Sequence, residues 1–226
     1  MSDQSSSGDP GGVGDTGDAR APRWLRDLAA AAKAMHVPRA VRPPASGGRR
    51  SAVLVLFGAG PDGPDLLYIQ RNEGLRRHSG QPAFPGGRIE DSDDGPVAAA
   101  LREAVEETGL DPDGVDVLAT LPEMFISRSQ FRVVPVLAWW RVPSAVRPVD
   151  VGEVAAVERI SVAELTDPRN RVMMRSPSGH SGPAFRVGSM LIWGFTAHLT
   201  DRLLALGGFE RPWNATVIRE LPQGAA

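Results

Sequence analysis

The stretch from Pro96 to Gly109, PVAAALREAVEETG, constrains the fold more than any other part of this chain. Proline suits a first helical position and glycine the residue just past a helix end, so the two residues bracket one helix. Glu103, Glu106 and Glu107 stand three and four residues apart, a spacing that lets all three reach one side of that helix. Three neighbouring carboxylates repel one another unless cations neutralise them. Clustered carboxylate oxygens are what hard divalent ions such as Mg²⁺ or Mn²⁺ take, with waters and substrate phosphates completing the shell. Arg102 can pair with Glu106 one turn on, which gives it an orienting role. Gly86 and Gly87, upstream of the helix, let the backbone turn tightly and come close to it.

The flanking segments read as strands and helices in alternation. Ser51–Phe57 and Leu66–Arg71 are compact apolar strands with Gly58–Pro64 as the turn between them. Val115–Leu121, Phe131–Arg141 (interrupted by Pro135) and Val154–Ile160 are further strands, with a short helix at Val162–Leu165. After a polar loop, Phe185–Met190 is extended. Leu191–Leu206 then places Ile192, Phe195, Leu199, Leu203 and Leu206 on one apolar helical face. Near the start, Trp24–Met35 has helical apolar spacing. Strands interleaved with helices predict an α/β sandwich with a mixed sheet. The expected division is a disordered tail at 1–22, a short helix and linker at 23–48, the main domain at 49–210 and a C-terminal tail at 211–226.

Composition removes several chemistries. There is no cysteine, so no thiol nucleophile, disulfide framework or cysteine-ligated zinc. Lys33 is the only lysine and lies outside any glycine-rich loop, which excludes a P-loop. A net charge of −2 gives no global attraction to nucleic acid. No apolar run is long enough to span a membrane, and Met1–Pro22 lacks the pattern of a secretory signal. The expectation is a soluble cytoplasmic protein without nucleic-acid or membrane partners. Trp139, Trp140 and Trp193 are expected in the core or at a homodimer interface.

Gly87, Glu90 and the run Arg102-Glu103-Ala104-Val105-Glu106-Glu107-Thr108-Gly109-Leu110 together resemble the Nudix box. The linker between Gly87 and Arg102 is one residue longer than standard, so the acidic position within it falls on Asp93 or Asp94. The resemblance implies a Nudix-type α/β/α sandwich, with Glu103, Glu106 and Glu107 as metal ligands and Arg102 among the catalytic residues. A second group, Arg71, Arg76, Gly80 and Phe84-Pro85-Gly86-Gly87, resembles the extra motif of coenzyme A diphosphatases in that superfamily. Asn72 departs from the small residue usual there. This resemblance implies that Arg71, Arg76, His78, Gly80, Phe84, Gly86 and Gly87 bind substrate. Arginines suit such a ligand because guanidinium makes paired, charge-assisted hydrogen bonds to phosphate. The implied reaction hydrolyses the pyrophosphate of coenzyme A or an acyl-CoA to 3′,5′-ADP and 4′-phosphopantetheine. Two alternatives stand beside it: another nucleoside diphosphate derivative such as ADP-ribose or an oxidised nucleotide, and a nucleotide-binding module without turnover.

Overall fold

A computed structural model describes residues 20–72, 80–176 and 179–221. Among them, the chain begins with helix α1 (Arg23–Lys33) and then enters the hairpin of β1 (Arg49–Gly60) and β2 (Gly63–Arg71). Gly60 and Gly63 face each other across this hairpin, leaving Pro61 and Asp62 as a two-residue turn inside the expected turn segment. Two short strands follow, β3 (Pro82–Ala83) and β4 (Gly86–Arg88), then helix α2 (Gly95–Thr108). Next come β5 (Val115–Thr120), β6 (Met124–Ile126), β7 (Phe131–Trp140), β8 (Val154–Ser161) and helix α3 (Val162–Thr166). The last part holds β9 (Arg171–Arg175), β10 (Ser181–Val187), β11 (Met190–Ile192), helix α4 (Gly194–Leu206) and β12 (Ile218–Glu220).

Strands β1 to β8 form one mixed sheet. Its centre is the parallel pair β1–β7, and its other pairings are antiparallel. Alternation along β1 divides the core. Ala52, Leu54 and Leu56 meet Ala99, Ala100 and Ala104 of α2 on one face. Val55 and Phe57 meet α1 and α4 on the other. Alanines on α2 bring its axis close to the sheet, which carries the glutamates of the same helix towards β4. Helices on both faces of a mixed sheet make the α/β/α sandwich.

Pro135 does not interrupt β7. Its carbonyl accepts from the Leu121 amide, and a strand residue's N–H and C=O point the same way. The missing N–H therefore faces the break at 121–123 between β5 and β6, where no ladder bond is lost. Helix α4 starts three residues later than the apolar pattern suggests. Ile192 belongs to the hairpin strand β11, and Gly194, with φ of 65°, turns the chain at the first residue of the helix. The polar loop expected after α3 contains β9, which pairs with β10 and with β12 in a second, four-stranded sheet.

Packing does not follow the expected boundaries at residues 22, 48 and 210. Ala21, Leu25, Leu28, Ala29 and Ala32 are buried in the main core, with Trp24 edge-on to Phe57 and Phe209. Residues 218–220 pair with β9, and Leu221 is buried beside Met174 and Ala184. Arg171, at the start of β9, is buried between the rings of Phe185 and Trp213 and paired with Asp201 of α4, tying the C-terminal segment to the body. Trp140 is buried in the core on the α2 side, while Trp139 and Trp193 are half-buried.

Candidate active site

Helix α2 ends where the sequence predicts. Gly109 takes a left-handed conformation (φ 69°, ψ 20°), which glycine adopts without strain, and its N–H closes on the Val105 carbonyl at 2.9 Å. Two other last-turn carbonyls are capped from outside the helix. Arg147 N–H donates to Thr108 O at 2.9 Å and Val149 N–H to Glu107 O at 3.2 Å. The loop after β7 thus fixes the end of the glutamate helix.

The three glutamates do not share one environment. The side chain of Glu107 is 5% exposed, that of Glu103 17% and that of Glu106 57%. Glu107 accepts the Gly86 N–H at 2.8 Å and lies 3.5 Å from the Arg71 guanidinium. Burial pushes its carboxyl up to about 8, outweighing the Gly86 and Arg71 contacts, and the negative charges of Glu103 and Glu153 push the same way. Burial is also the main cause that raises Glu103, with Arg102 opposing it. Gly86 is a spatial requirement here, and a side chain at Gly87 would displace Glu103. A Cβ on Gly86, whose φ is 155°, would collide with the Ala52 carbonyl, and one on Gly87 with the Glu103 carboxylate.

Arg102 gathers the other acids. It donates to both oxygens of Asp93 at 3.0 Å, to Glu106 at 2.9 Å, to Glu103 at 3.2 Å and to the Arg88 carbonyl at 3.0 Å. Its bonds hold the Asp93 carboxyl below the usual range, with the Glu90 amide assisting. Of the two candidates in the lengthened linker, Asp93 is therefore the one tied to the glutamate helix. Asp94 precedes the helix and makes no side-chain cap.

The expected substrate residues divide. Arg71 reaches Glu107, and Gly86 and Gly87 line the approach to the glutamates. Gly80, with φ of 65°, stands in the turn that leads back to β3. The ring of Phe84 is buried and stacked on Tyr68 at 5.0 Å. A buried ring offers a substrate no surface, so Phe84 anchors the loop from below instead. Arg76 and His78 lie outside the described residues. Glu153 was not anticipated. It lies just before β8, and strand pairing brings this point of the chain to the end of β2, a link that no local pattern encodes.

Whether a divalent cation suits this site turns on the donor set. A buried carboxylate, raised by desolvation and by two neighbouring negative charges, has one backbone N–H and one long arginine contact to offset them. That uncompensated charge fits a hard cation. Among the described residues no three acidic or histidine side chains are gathered closely enough to hold a metal ion by themselves, so substrate phosphates and waters would have to supply much of the coordination.

The NUDIX domain family matches residues 48–177, more than half of the chain. The chain belongs to that family. It is 43% identical over 116 residues to the uncharacterised Nudix hydrolase NudL of Cronobacter sakazakii, covering 51% of this chain and 59% of that one. It is 37% identical over 174 residues to the mitochondrial Nudix hydrolase 15 of Arabidopsis thaliana, covering 73% and 60%. The chain thus spans about six-tenths of the length of these curated relatives. Among solved structures, the Nudix hydrolase RenU of M. smegmatis superposes with a TM-score of 0.51 at 21% identity, over 75% of this chain and 91% of that one. This last likeness concerns the fold, and it agrees with the α/β architecture and mixed sheet.

Proposed function

We propose that the protein is a metal-dependent hydrolase of a nucleoside diphosphate derivative, with coenzyme A or an acyl-CoA as its substrate. The observation that carries the reading is Glu107, a buried carboxylate short of compensating charge and held against the Gly86–Gly87 turn. Membership of the NUDIX family supports the reaction class. Glu103, Glu106 and Glu107 would hold Mg²⁺ or Mn²⁺, which supplies acidification of water and neutralisation of phosphoryl charge when bound.

The protein's own groups do the rest. Arg102 fixes the directions of Glu103 and Glu106, and the Gly86 amide fixes that of Glu107. The absence of side chains at Gly86 and Gly87 leaves the backbone as the wall of the site. Water attacks one phosphorus in line with the bridging oxygen, and one of the three carboxylates takes its proton. One P–O bond forms, the P–O–P bridge breaks, and the other phosphate leaves. With coenzyme A this gives 3′,5′-ADP and 4′-phosphopantetheine. Arg71 with Arg76 and His78 would meet the substrate phosphates, and the spacing of Arg71, Arg76, Gly80 and Phe84 supports the choice of coenzyme A.

The test is product analysis with coenzyme A, acetyl-CoA, ADP-ribose and dinucleotides in Mg²⁺ or Mn²⁺. Metal-dependent release of 3′,5′-ADP from coenzyme A is expected. Cleavage of another member alone would keep the reaction class and remove the substrate assignment. Nucleotide binding without cleavage would make the protein a binding module. Glu106→Gln and Glu107→Gln should each lower turnover by about 10²-fold or more with the fold intact, and unchanged activity in both would remove the metal-site assignment.

A further inference from the structure

On the sheet face that meets α2, arginines stand on both sides of the Gly86–Gly87 turn. Arg71, at the end of β2, is committed to Glu107. Arg50 lies on the other side, near the start of β1. Side chains alternate along a strand, so Arg50 shares the face of Ala52, Leu54 and Leu56, which pack on α2. Ala52 stands opposite Gly87, over which the Glu103 carboxylate lies, so Arg50 is one two-residue step, about 6–7 Å, from that point. The Ile89 amide donates to the Arg50 carbonyl at 3.1 Å and fixes the backbone there. The arginine neighbours on this face are engaged. Arg102 holds Asp93, Glu103 and Glu106. Arg132, beside Arg50 across the β1–β7 pair, donates to Glu123 at 3.1 and 2.7 Å, and a Cβ on Gly48 would collide with its stem. The Arg50 side chain, by contrast, is exposed and has no hydrogen-bond, ion-pair or ring partner among the described residues.

We infer that Arg50 is a specificity-determining residue: it meets a second phosphate of the substrate, one outside the anhydride that is cleaved. On coenzyme A this is the 3′-phosphate of the ribose, and the inference rests on the coenzyme A reading above. An anhydride at the Gly86–Gly87 turn and a phosphate one strand step away match a nucleotide phosphorylated on both the 5′ and 3′ oxygens of one ribose. Arg71, Arg102 and Arg132 would each have to leave a carboxylate unpaired to take that phosphate, whereas Arg50 breaks no ion pair. The phosphate offers its guanidinium paired, charge-assisted hydrogen bonds. ADP-ribose carries a hydroxyl at the same position, so Arg50 would favour coenzyme A over it.

The experiment compares coenzyme A with 3′-dephospho-coenzyme A as substrates of the full-length protein in Mg²⁺. Wild type, Arg50→Gln and Arg50→Lys are measured, with melting curves as a check on folding. Hydrogen bonds to a charged group correspond to roughly ten- to a hundredfold, so the wild type should prefer coenzyme A by about tenfold or more in kcat/KM. Arg50→Gln should reduce that preference by about tenfold, mainly through KM, and Arg50→Lys, which keeps the charge, should fall between the two. Melting should move little, because the side chain is exposed. A wild-type preference retained in Arg50→Gln would overturn the inference, and so would equal cleavage of both substrates by the wild type. A loss of the same size on both substrates in Arg50→Gln would overturn it too, because the 3′-phosphate would then not be the group met. Cleavage of neither substrate by the wild type would instead remove the coenzyme A reading itself, and the inference with it.

Discussion

Two buried carboxylates, one on the mixed sheet and one on the helix packed against it, have opposite fates. Asp65 lies on β2 near the hairpin, and Glu107 packs against the far end of the same strands. Burial raises both carboxyls. The Asp65 side chain is 6% exposed and meets the Arg159 guanidinium at 2.7 Å. Arg159 also lies over the Trp140 ring and donates to the Ala59 carbonyl, so it is fixed in place. Glu107 is as deeply buried, but its arginine stands at 3.5 Å and its other charged neighbours are negative. Asp65 has its counter-ion built into the fold. Glu107 lacks one of similar quality, and stabilising its charge falls to something the chain does not supply. The contrast separates a carboxylate that serves structure from one arranged for a cation.

The largest expected effect comes from removing the uncompensated charge. Glu107→Gln should lower kcat/KM for the cleaved substrate by about 10²–10⁴-fold, the range associated with losing a positioned catalytic group. Its metal-free melting temperature at pH 8 should equal or exceed that of the wild type, because a buried charge in need of neutralisation is gone. A lower melting temperature would mean that Glu107, like Asp65, serves the fold.

The converse substitution is Arg159→Met. It strips Asp65 of its counter-ion and should cost about 2–3 kcal/mol, less than the ~3–5 of a fully buried pair because Arg159 is partly exposed. At about 2–4 °C per kcal/mol for a chain of this size, the melting temperature should fall by roughly 4–12 °C, with kcat unchanged. Loss of activity without loss of stability would erase the contrast.

A smaller effect is in pH. A carboxyl raised in the folded state binds its proton more tightly there than in the unfolded chain. Its contribution to stability is therefore present in full below the unfolded value of about 4.5 and is lost as pH rises towards about 8. Metal-free protein should lose stability across that window. Because a cation binds the ionised form, the rise in melting temperature caused by Mg²⁺ should be larger at pH 8.5 than at pH 6. Glu107→Gln should remove most of that pH dependence. An equal Mg²⁺ effect at both pH values would separate Glu107 from the metal.

What could be read from the sequence was local. Helix α2 shows its alanine face, its Pro96 near the start and its Gly109 cap within fourteen residues, and the apolar runs of β1 and β2 bracket a turn. The Arg102–Glu106 pair follows from helix geometry. Contacts between distant segments were not legible. Asp65 and Arg159 are 94 positions apart, and the backbone at Glu153 comes beside the end of β2 only through the pairing of β8 with β2. Phe84 was expected at the substrate because of the motif it shares with Arg71, Arg76 and Gly80, but packing on Tyr68 put its ring in the core. Strand β9, Arg-Val-Met-Met-Arg, reads as polar at both ends, yet Arg171 is buried because two rings and Asp201 surround it. Burial of a charged side chain depends on partners that local pattern does not reveal.

The most direct test is a crystal of the protein soaked in Mn²⁺ and measured for anomalous scattering. The account predicts a peak within about 2.0–2.3 Å of a Glu107 oxygen, typical of hard divalent ions on carboxylates, and no peak at Asp65. A map with no peak at Glu107, or with its peak at Asp65, would contradict it.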